Sequence, residues 1–295
     1  MAACCERMRR MLNEANRINV NRWMSESYDD IKALALHELS LPSAHNAGMD
    51  CKARTTNSHI SCQNESFKFQ LERGIRVLDT RLAYYAGYKG AEGVRYWHKH
   101  HLASGRTLHE MLQAIKAFLA ENPDEYIIID IHDLKPAHNK PVPYEDLAIY
   151  LEHELKDLGL PFSAASMTLE QLKKVHPGQT VIVAADYSLS RHTKLAWPKI
   201  DHVWIDQTLV TAAQLGAFID RVMQRPPSKQ LWSLSVTGYG LLGPTQLGGE
   251  IDQWFAAGGP YQMQSNIINV DWFEGSELVR NCIASNIDKA RIKAR

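Results

Sequence analysis

The chain has 295 residues, and its 33 Lys+Arg balance 33 Asp+Glu to a formal net charge of zero. Hydrophobic residues make up 45% and charged residues 22%, which excludes a disordered, collagen-like or coiled-coil chain and leaves room for one large core. The absence of a net positive field argues against nucleic-acid binding and against electrostatic adhesion to anionic membrane, while 13 histidines supply groups that titrate near neutral pH.

Met1–Arg10 has no apolar run of signal-peptide type, and no stretch of the sequence is long and apolar enough to span a bilayer. The expectation is a cytoplasmic chain, or one exported by a route without a signal, that meets membrane only peripherally. Five cysteines (Cys4, Cys5, Cys51, Cys62, Cys282) with no C-x-x-C pair suit a reducing compartment, or a single Cys51–Cys62 bridge across a loop. Residues 1–20 read as an N-terminal extension and 21–295 as one domain, without an internal repeat or a linker.

In chain order, strand-like runs are expected at Glu38–Leu41, Ile75–Arg81, Val94–His98, Tyr126–His132, Thr180–Ala184, Val203–Ile205, Leu231–Ser235 and Ile267–Val270. The uniformly apolar ones read as strands buried on both faces of a parallel sheet. Between the third and fourth, Leu108, Met111, Leu112, Ile115, Phe118 and Leu119 recur at helical spacing behind a Thr107-x-x-Glu110 capping box. Leu147, Tyr150, Leu151, Leu155 and Leu158 form another stripe, ended by Gly159 and Pro161, and Thr168-x-x-Gln171 opens a short helix. Strands alternating with helices predict an α/β fold, an irregular (β/α)8 TIM-type barrel in a single domain. A doubly wound sheet is the alternative, but no G-x-G-x-x-G follows the first strand.

In a barrel, the chemistry is carried at the carboxyl ends of the strands. His45 and Asn46 follow the first strand beside a small-residue turn. Asp79 and Arg81 end the second, and period-2 geometry directs both to one face. His98 and His100 share a face at the end of the third. Asp130, His132 and Asp133 end the fourth, and Asn269 and Asp271 end the last. Two imidazoles, a guanidinium and supporting carboxylates are the groups that acid–base cleavage of a phosphodiester requires. One imidazole deprotonates the nucleophile, the other protonates the leaving oxygen, and the guanidinium fork meets the phosphate. Taken singly, each residue also has a structural reading: Asp79–Arg81 as a buried ion pair, and the His98–His101 run as a solvated loop or an adventitious metal site.

Leu39–Gly48, Gln70–Arg81, Tyr96–His98, Glu121–Asp130 with its N-P-x-E junction, and Ile267–Trp272 together resemble the phosphatidylinositol-specific phospholipase C family, specifically in the first half and thinly over about residues 160–260. The resemblance implies a distorted TIM-type barrel and two-step cleavage through a cyclic inositol phosphate. It implies His45 as general base, His98 as general acid with His100 as the fallback, Asp79 and Arg81 beside the phosphate, and Asp271 orienting the base. Asn46, His132, Asp206 and His100 would line the substrate site. Asn46 is similar to the calcium-ligating asparagine of the eukaryotic members, but Arg81 and His132 stand where those members carry acidic ligands. No cofactor is therefore expected, with calcium through Asn46 and Asp79 as the alternative. Asp186 stands where bacterial members carry an inositol-binding arginine, which puts headgroup specificity in question. The partner implied is a phospholipid at a membrane surface, met transiently by a monomer. Alternatives on the same barrel are a glycerophosphodiester phosphodiesterase or sphingomyelinase D-like enzyme, against which Asp79-Thr-Arg81 argues by lacking their Glu-x-Asp pair, or an inactive member that binds lipid or inositol phosphate.

Overall fold

The computed structural model describes residues 2–86, 95–138, 140–207 and 209–295. The strands in chain order are β1 (Leu41–Ala44), β2 (Val77–Tyr84), β3 (Tyr96–His100), β4 (Leu102–Thr107), β5 (Ile127–Pro136), β6 (Val181–Ala185), β7 (Ala196–Pro198), β8 (Asp201–Val203), β9 (Trp232–Val236), β10 (Tyr239–Gly240), β11 (Gly243–Pro244) and β12 (Ile267–Val270).

Eight of them form one curled sheet in the order β7-β6-β5-β2-β1-β12-β9-β8, with every neighbour parallel. Parallel neighbours that follow chain order, with the last barrel strand against the first, make a TIM-type barrel. Among the described residues, β7 and β8 do not pair, so the barrel stays open at that seam. The irregular barrel expected from the sequence is thus present. β3 and β4 form an antiparallel hairpin on the edge of the upper half of β2. Val94, where the third strand was expected to begin, lies outside the described residues.

The apolar runs explain the sheet. Ile127–Ile131 and Val181–Ala185 are buried throughout because helices cover one face and the barrel interior the other. The helix Leu108–Glu121 buries Leu108, Met111, Leu112, Ile115, Phe118 and Leu119, and the Thr107 hydroxyl caps its first turn as the sequence predicts. The first strand is displaced from the expected position. Glu38 turns back to accept the Ala35 N–H at 2.7 Å, closing a 3-10 turn at Leu36–Glu38, so the strand starts only at Leu41.

The base of the barrel is closed by a buried ion pair, Arg76–Glu125, at 2.6 Å with both side chains sealed from solvent. Glu125 also accepts the N–H groups of Met24 (3.2 Å) and Ser25 (2.8 Å), which ties the segment before β1 beneath β2 and β5. Residues 2–15 form a helix whose Met11 and Ala15 are buried in the core. Arg280 of the C-terminal helix Leu278–Lys293 donates to the Ala15 and Ile18 carbonyls, so the segment read as an extension packs on the barrel. Cys51, Cys62 and Cys282 are free thiols, so the Cys51–Cys62 bridge is not formed.

Candidate active site

The turn after β1 carries the first imidazole. Asn46 sits there at φ 45°, a left-handed conformation that asparagine tolerates better than most residues. Its backbone N–H donates to Asp79 Oδ2 at 3.2 Å, while Gln63 Nε2 donates to the carbonyls of His45 (2.9 Å) and Val270 (3.0 Å). The backbone is held from both sides, and the His45 ring is fixed against the end of β12.

His45 Nδ1 lies 2.7 Å from Asp271 Oδ1, the contact that sets the imidazole tautomer and leaves Nε2 facing the barrel mouth. Around Nε2 stand the Asn46 amide at 3.1 Å, Arg81 Nη2 at 3.5 Å and Asp79 Oδ2 at 4.0 Å. The Asp79 Oδ2 also accepts from Asn269 Nδ2 at 2.9 Å, and Asn269 in turn accepts from the Ser43 hydroxyl. Burial alone would raise the Asp79 carboxyl. The imidazoles of His132, His45 and His202 and the Arg81 guanidinium outweigh it and hold Asp79 well below the usual carboxylate range. Asp79 is therefore an anion at neutral pH.

The second imidazole is not the expected one. His98 turns away from the cluster: its Nδ1 meets Thr80 Oγ1 at 2.6 Å, its ring packs 5.0 Å from that of Phe67, and it is 1% exposed. A Cβ on Gly48 would lie 2.2 Å from His98 Cγ, so the small residue in the first turn is what admits this ring. The Nε2 of His98 is sealed from solvent, and burial pushes its pKa down to about 3. Thr80 alternates with Asp79 and Arg81, so a ring against Thr80 lies behind the wall of the site. His98, expected as general acid, thus lies away from the cluster. His100, the expected fallback, stands at the mouth, its ring 6.4 Å from that of His45 and within 3.3 Å of the Tyr239 hydroxyl. The register of β3 against β4 shifts between Trp97 and Lys99, with the extra residues on β4. Burial, with the neighbouring His45 and Arg81, pushes His100 down to about 3.

On the other side of Asp79, His132 Nδ1 lies 4.0 Å from Oδ1. His132 reaches that position because the β2–β5 register skips from Thr80↔Ile131 to Arg81↔Asp133, making His132 a bulged residue. Its ring stacks edge-on against His202 at 3.9 Å, and His202 Nε2 meets Asp130 Oδ2 at 2.6 Å. Burial would lower His202, but the Asp130 carboxylate prevails and raises it. His202 escapes the sequence reading because its strand is Asp201–Val203, two residues before the expected run. Tyr239 and the buried Cys62, whose thiol lies 3.5 Å from the Tyr239 hydroxyl, carry no sequence signal of their own.

The structure thus brings together His45, Asn46, Asp79, Arg81, Asp271, His100 and His132. Asp206 is exposed beyond β8 and makes no hydrogen bond or ion pair with this cluster among the described residues. Asp186 caps a short helical turn through the Ser188 N–H and hydroxyl, a local role. It borders a cavity of about 180 Å³ shared with His132, Asp133, Tyr144 and Lys199. Calcium takes about six to eight oxygen ligands. Buried, unpartnered oxygens here include Asn46 Oδ1, Asp79 Oδ1, Asp130 Oδ1 and Asp271 Oδ2, and the Arg81 guanidinium and the imidazoles of His45 and His132 among them oppose a calcium ion.

Residues 44–158 match the family described as phosphatidylinositol-specific phospholipase C, X domain. The fold is similar to that of the phosphatidylinositol-specific phospholipase C from Listeria monocytogenes, at TM-score 0.68 and 19% identity over 91% of this chain and 99% of that one. It is also similar to that of the Staphylococcus aureus phosphatidylinositol-specific phospholipase C. A mutant of that enzyme gives TM-score 0.69 and 15% identity over 90% of this chain and 98% of that one. A second structure, concerned with modulation of that enzyme's membrane binding, gives 0.66 and 15% over 90% and 97%. The family match over residues 44–158 and the fold shared over about nine-tenths of the chain thus converge on phosphatidylinositol-specific phospholipases C as the proteins to which this chain is similar.

Proposed function

We propose that the chain cleaves the glycerol-side phosphodiester of a phosphatidylinositol-type lipid by acid–base catalysis, with His45 and His100 as the two imidazoles. The observation that carries this is the His45 ring, held by Asp271 at 2.7 Å on Nδ1 and faced by the Arg81 guanidinium at 3.5 Å on Nε2. His45 accepts the proton of the inositol hydroxyl that attacks phosphorus. Asp271 stabilises the imidazolium that forms, and Arg81 stabilises charge on the non-bridging oxygens. His100 donates to the departing diacylglycerol oxygen and then deprotonates the water that opens the cyclic phosphate. His100 is neutral in the free protein, so the arriving phosphate anion must draw its proton in. Tyr239, on His100, orients the ring.

Arg81 supplies the positive charge that calcium brings elsewhere, so the reaction is independent of calcium. The lipid is reached through a rim that includes the β10–β11 hairpin, whose Leu241 and Leu242 are 87% and 80% exposed and whose Tyr239 touches His100. Exposed Tyr187 and Trp204, beyond β6 and β8, stand at the same end of the barrel. Such side chains suit transient insertion at a bilayer interface without a net charge.

The test is a panel of phosphatidylinositol, phosphatidylcholine and sphingomyelin vesicles, with calcium and with a calcium chelator, on the wild type and His45→Ala. Wild-type cleavage of phosphatidylinositol alone, unchanged by chelation and lost in His45→Ala, is expected. Equal activity in wild type and His45→Ala would end the acid–base reading, and loss on chelation with recovery in calcium would end the assignment to Arg81.

A further inference from the structure

Asp79 faces two ways. Its Oδ2 is fully engaged by Asn46 N, Asn269 Nδ2 and the His45 side. Its Oδ1 is buried without a hydrogen-bond partner, and so is Nδ1 of His132, 4.0 Å away. Two buried polar atoms that face each other unpaired are costly unless something else meets them. His202 completes the group: Asp79, His132 and His202 offer one ligand atom each, all within 4.8 Å of one another.

From this convergence we infer that Asp79, His132 and His202 form a binding site for a borderline divalent transition ion of the zinc or cobalt class. Two imidazole nitrogens and one carboxylate oxygen are a donor set that such ions prefer and that calcium and magnesium do not. In a tetrahedral site with bonds of about 2.0–2.1 Å, ligand atoms stand about 3.3 Å apart, so the Asp79–His132 pair must close by about 0.7 Å, within reach of small side-chain rotations. The supporting shell is already in place. Asp130 holds Nε2 of His202 at 2.6 Å, the carboxylate–histidine arrangement that orients a metal-bound imidazole, and the edge-on contact with His202 fixes the His132 ring. Asn46 and Asn269 hold the other Asp79 oxygen, so the free one cannot swing away. Arg81 reduces the affinity, and the Asp79 carboxylate beside it offsets that charge. The site lies on the far side of Asp79 from His45, so its occupancy is separable from the acid–base reading.

The test titrates the full chain, stripped of metal by a chelator, with Co²⁺ and follows visible d–d absorption. The expected result is one equivalent bound with an intense low-symmetry spectrum, displaced by Zn²⁺ and not by Ca²⁺. His202→Ala and His132→Ala should abolish the spectrum, and Asp130→Asn should weaken Co²⁺ binding by about 10–100-fold. Thermal melting of the wild type should rise with Zn²⁺, a readout that needs no variant to fold. A wild type with no stoichiometric cobalt spectrum, or a spectrum retained in both folded histidine variants, overturns the site. Displacement of cobalt by equimolar Ca²⁺ overturns the donor class.

Discussion

Exchanging the roles expected of the two β3 histidines separates packing from catalysis. In His98→Ala the Thr80 hydroxyl is left buried without its 2.6 Å partner, which costs about 1–3 kcal/mol. The ring leaves a void of roughly 70 Å³ against Phe67, worth about 1.7 kcal/mol at ~24 cal/mol per Å³. The variant should therefore lose about 3–5 kcal/mol. An unfolding entropy of about 2.1 cal/mol/K per residue over 295 residues converts that to a fall in Tm of about 4–8 °C. Its kcat on phosphatidylinositol should stay within about threefold of wild type, because Nε2 of His98 faces no solvent and removes no proton. His100→Ala should do the opposite, losing about 10²–10⁴-fold in kcat with little change in Tm. Calorimetry and a vesicle cleavage assay on both variants decide it. Loss of activity in His98→Ala at an unchanged Tm, with His100→Ala active, would refute the reasoning.

Three further outcomes follow from the geometry. Asp271→Asn keeps the shape but removes the charge that holds His45, and should lower kcat by about 10²–10⁴-fold with KM little changed, measured on the same vesicles. His100 lies at about 3 in the free protein and must be protonated to donate, so binding a soluble inositol phosphate between pH 5 and 7 should take up about one proton. Titration calorimetry in buffers of different ionisation enthalpy reads that uptake, and His100→Ala should abolish it. Glu125→Gln leaves the Arg76 guanidinium buried without its counter-charge, and should cost about 3–5 kcal/mol in a denaturant titration while sparing the chemistry at the other end of the barrel.

The barrel is legible in the sequence wherever a strand is buried on both faces, because covering helices force a continuous apolar run. Ile127–Ile129 and Val181–Ala185 show it directly. Strands that lie at the open seam or on the surface do not show it. The three-residue β7 and β8 flank the unpaired seam, and β4, half exposed, reads Leu-Ala-Ser-Gly-Arg-Thr without alternation. The helix Leu278–Lys293 also escapes a periodicity search. It buries polar Asn281, Ser285, Asn286 and Asp288 beside its apolar residues, and Asn286 is used to pair with the backbone of Ser40. A buried polar face that is satisfied by hydrogen bonds looks like solvent-facing sequence.

The site residues are most directly legible where the backbone keeps a regular period. Asp79 and Arg81 are separated by one residue on an unbroken stretch of β2, and both face the mouth as expected. His45 and Asp271 end neighbouring strands in register, Ala44↔Val270, so their meeting at 2.7 Å is a consequence of that pairing. Elsewhere the placement is not legible from spacing. His98 lies against Thr80 behind the wall while His100 stands at the mouth beside Tyr239. The extra residue of β5 opposite Thr80/Arg81 brings His132 to Asp79, inside the cluster where it was expected. An extra residue in one strand leaves no mark in a single sequence, since it is a property of a pair of strands. The β5 irregularity lies at the carboxyl end of the sheet, where giving up regular pairing aims a side chain into the cluster, so a position of the candidate site is among the hardest to read.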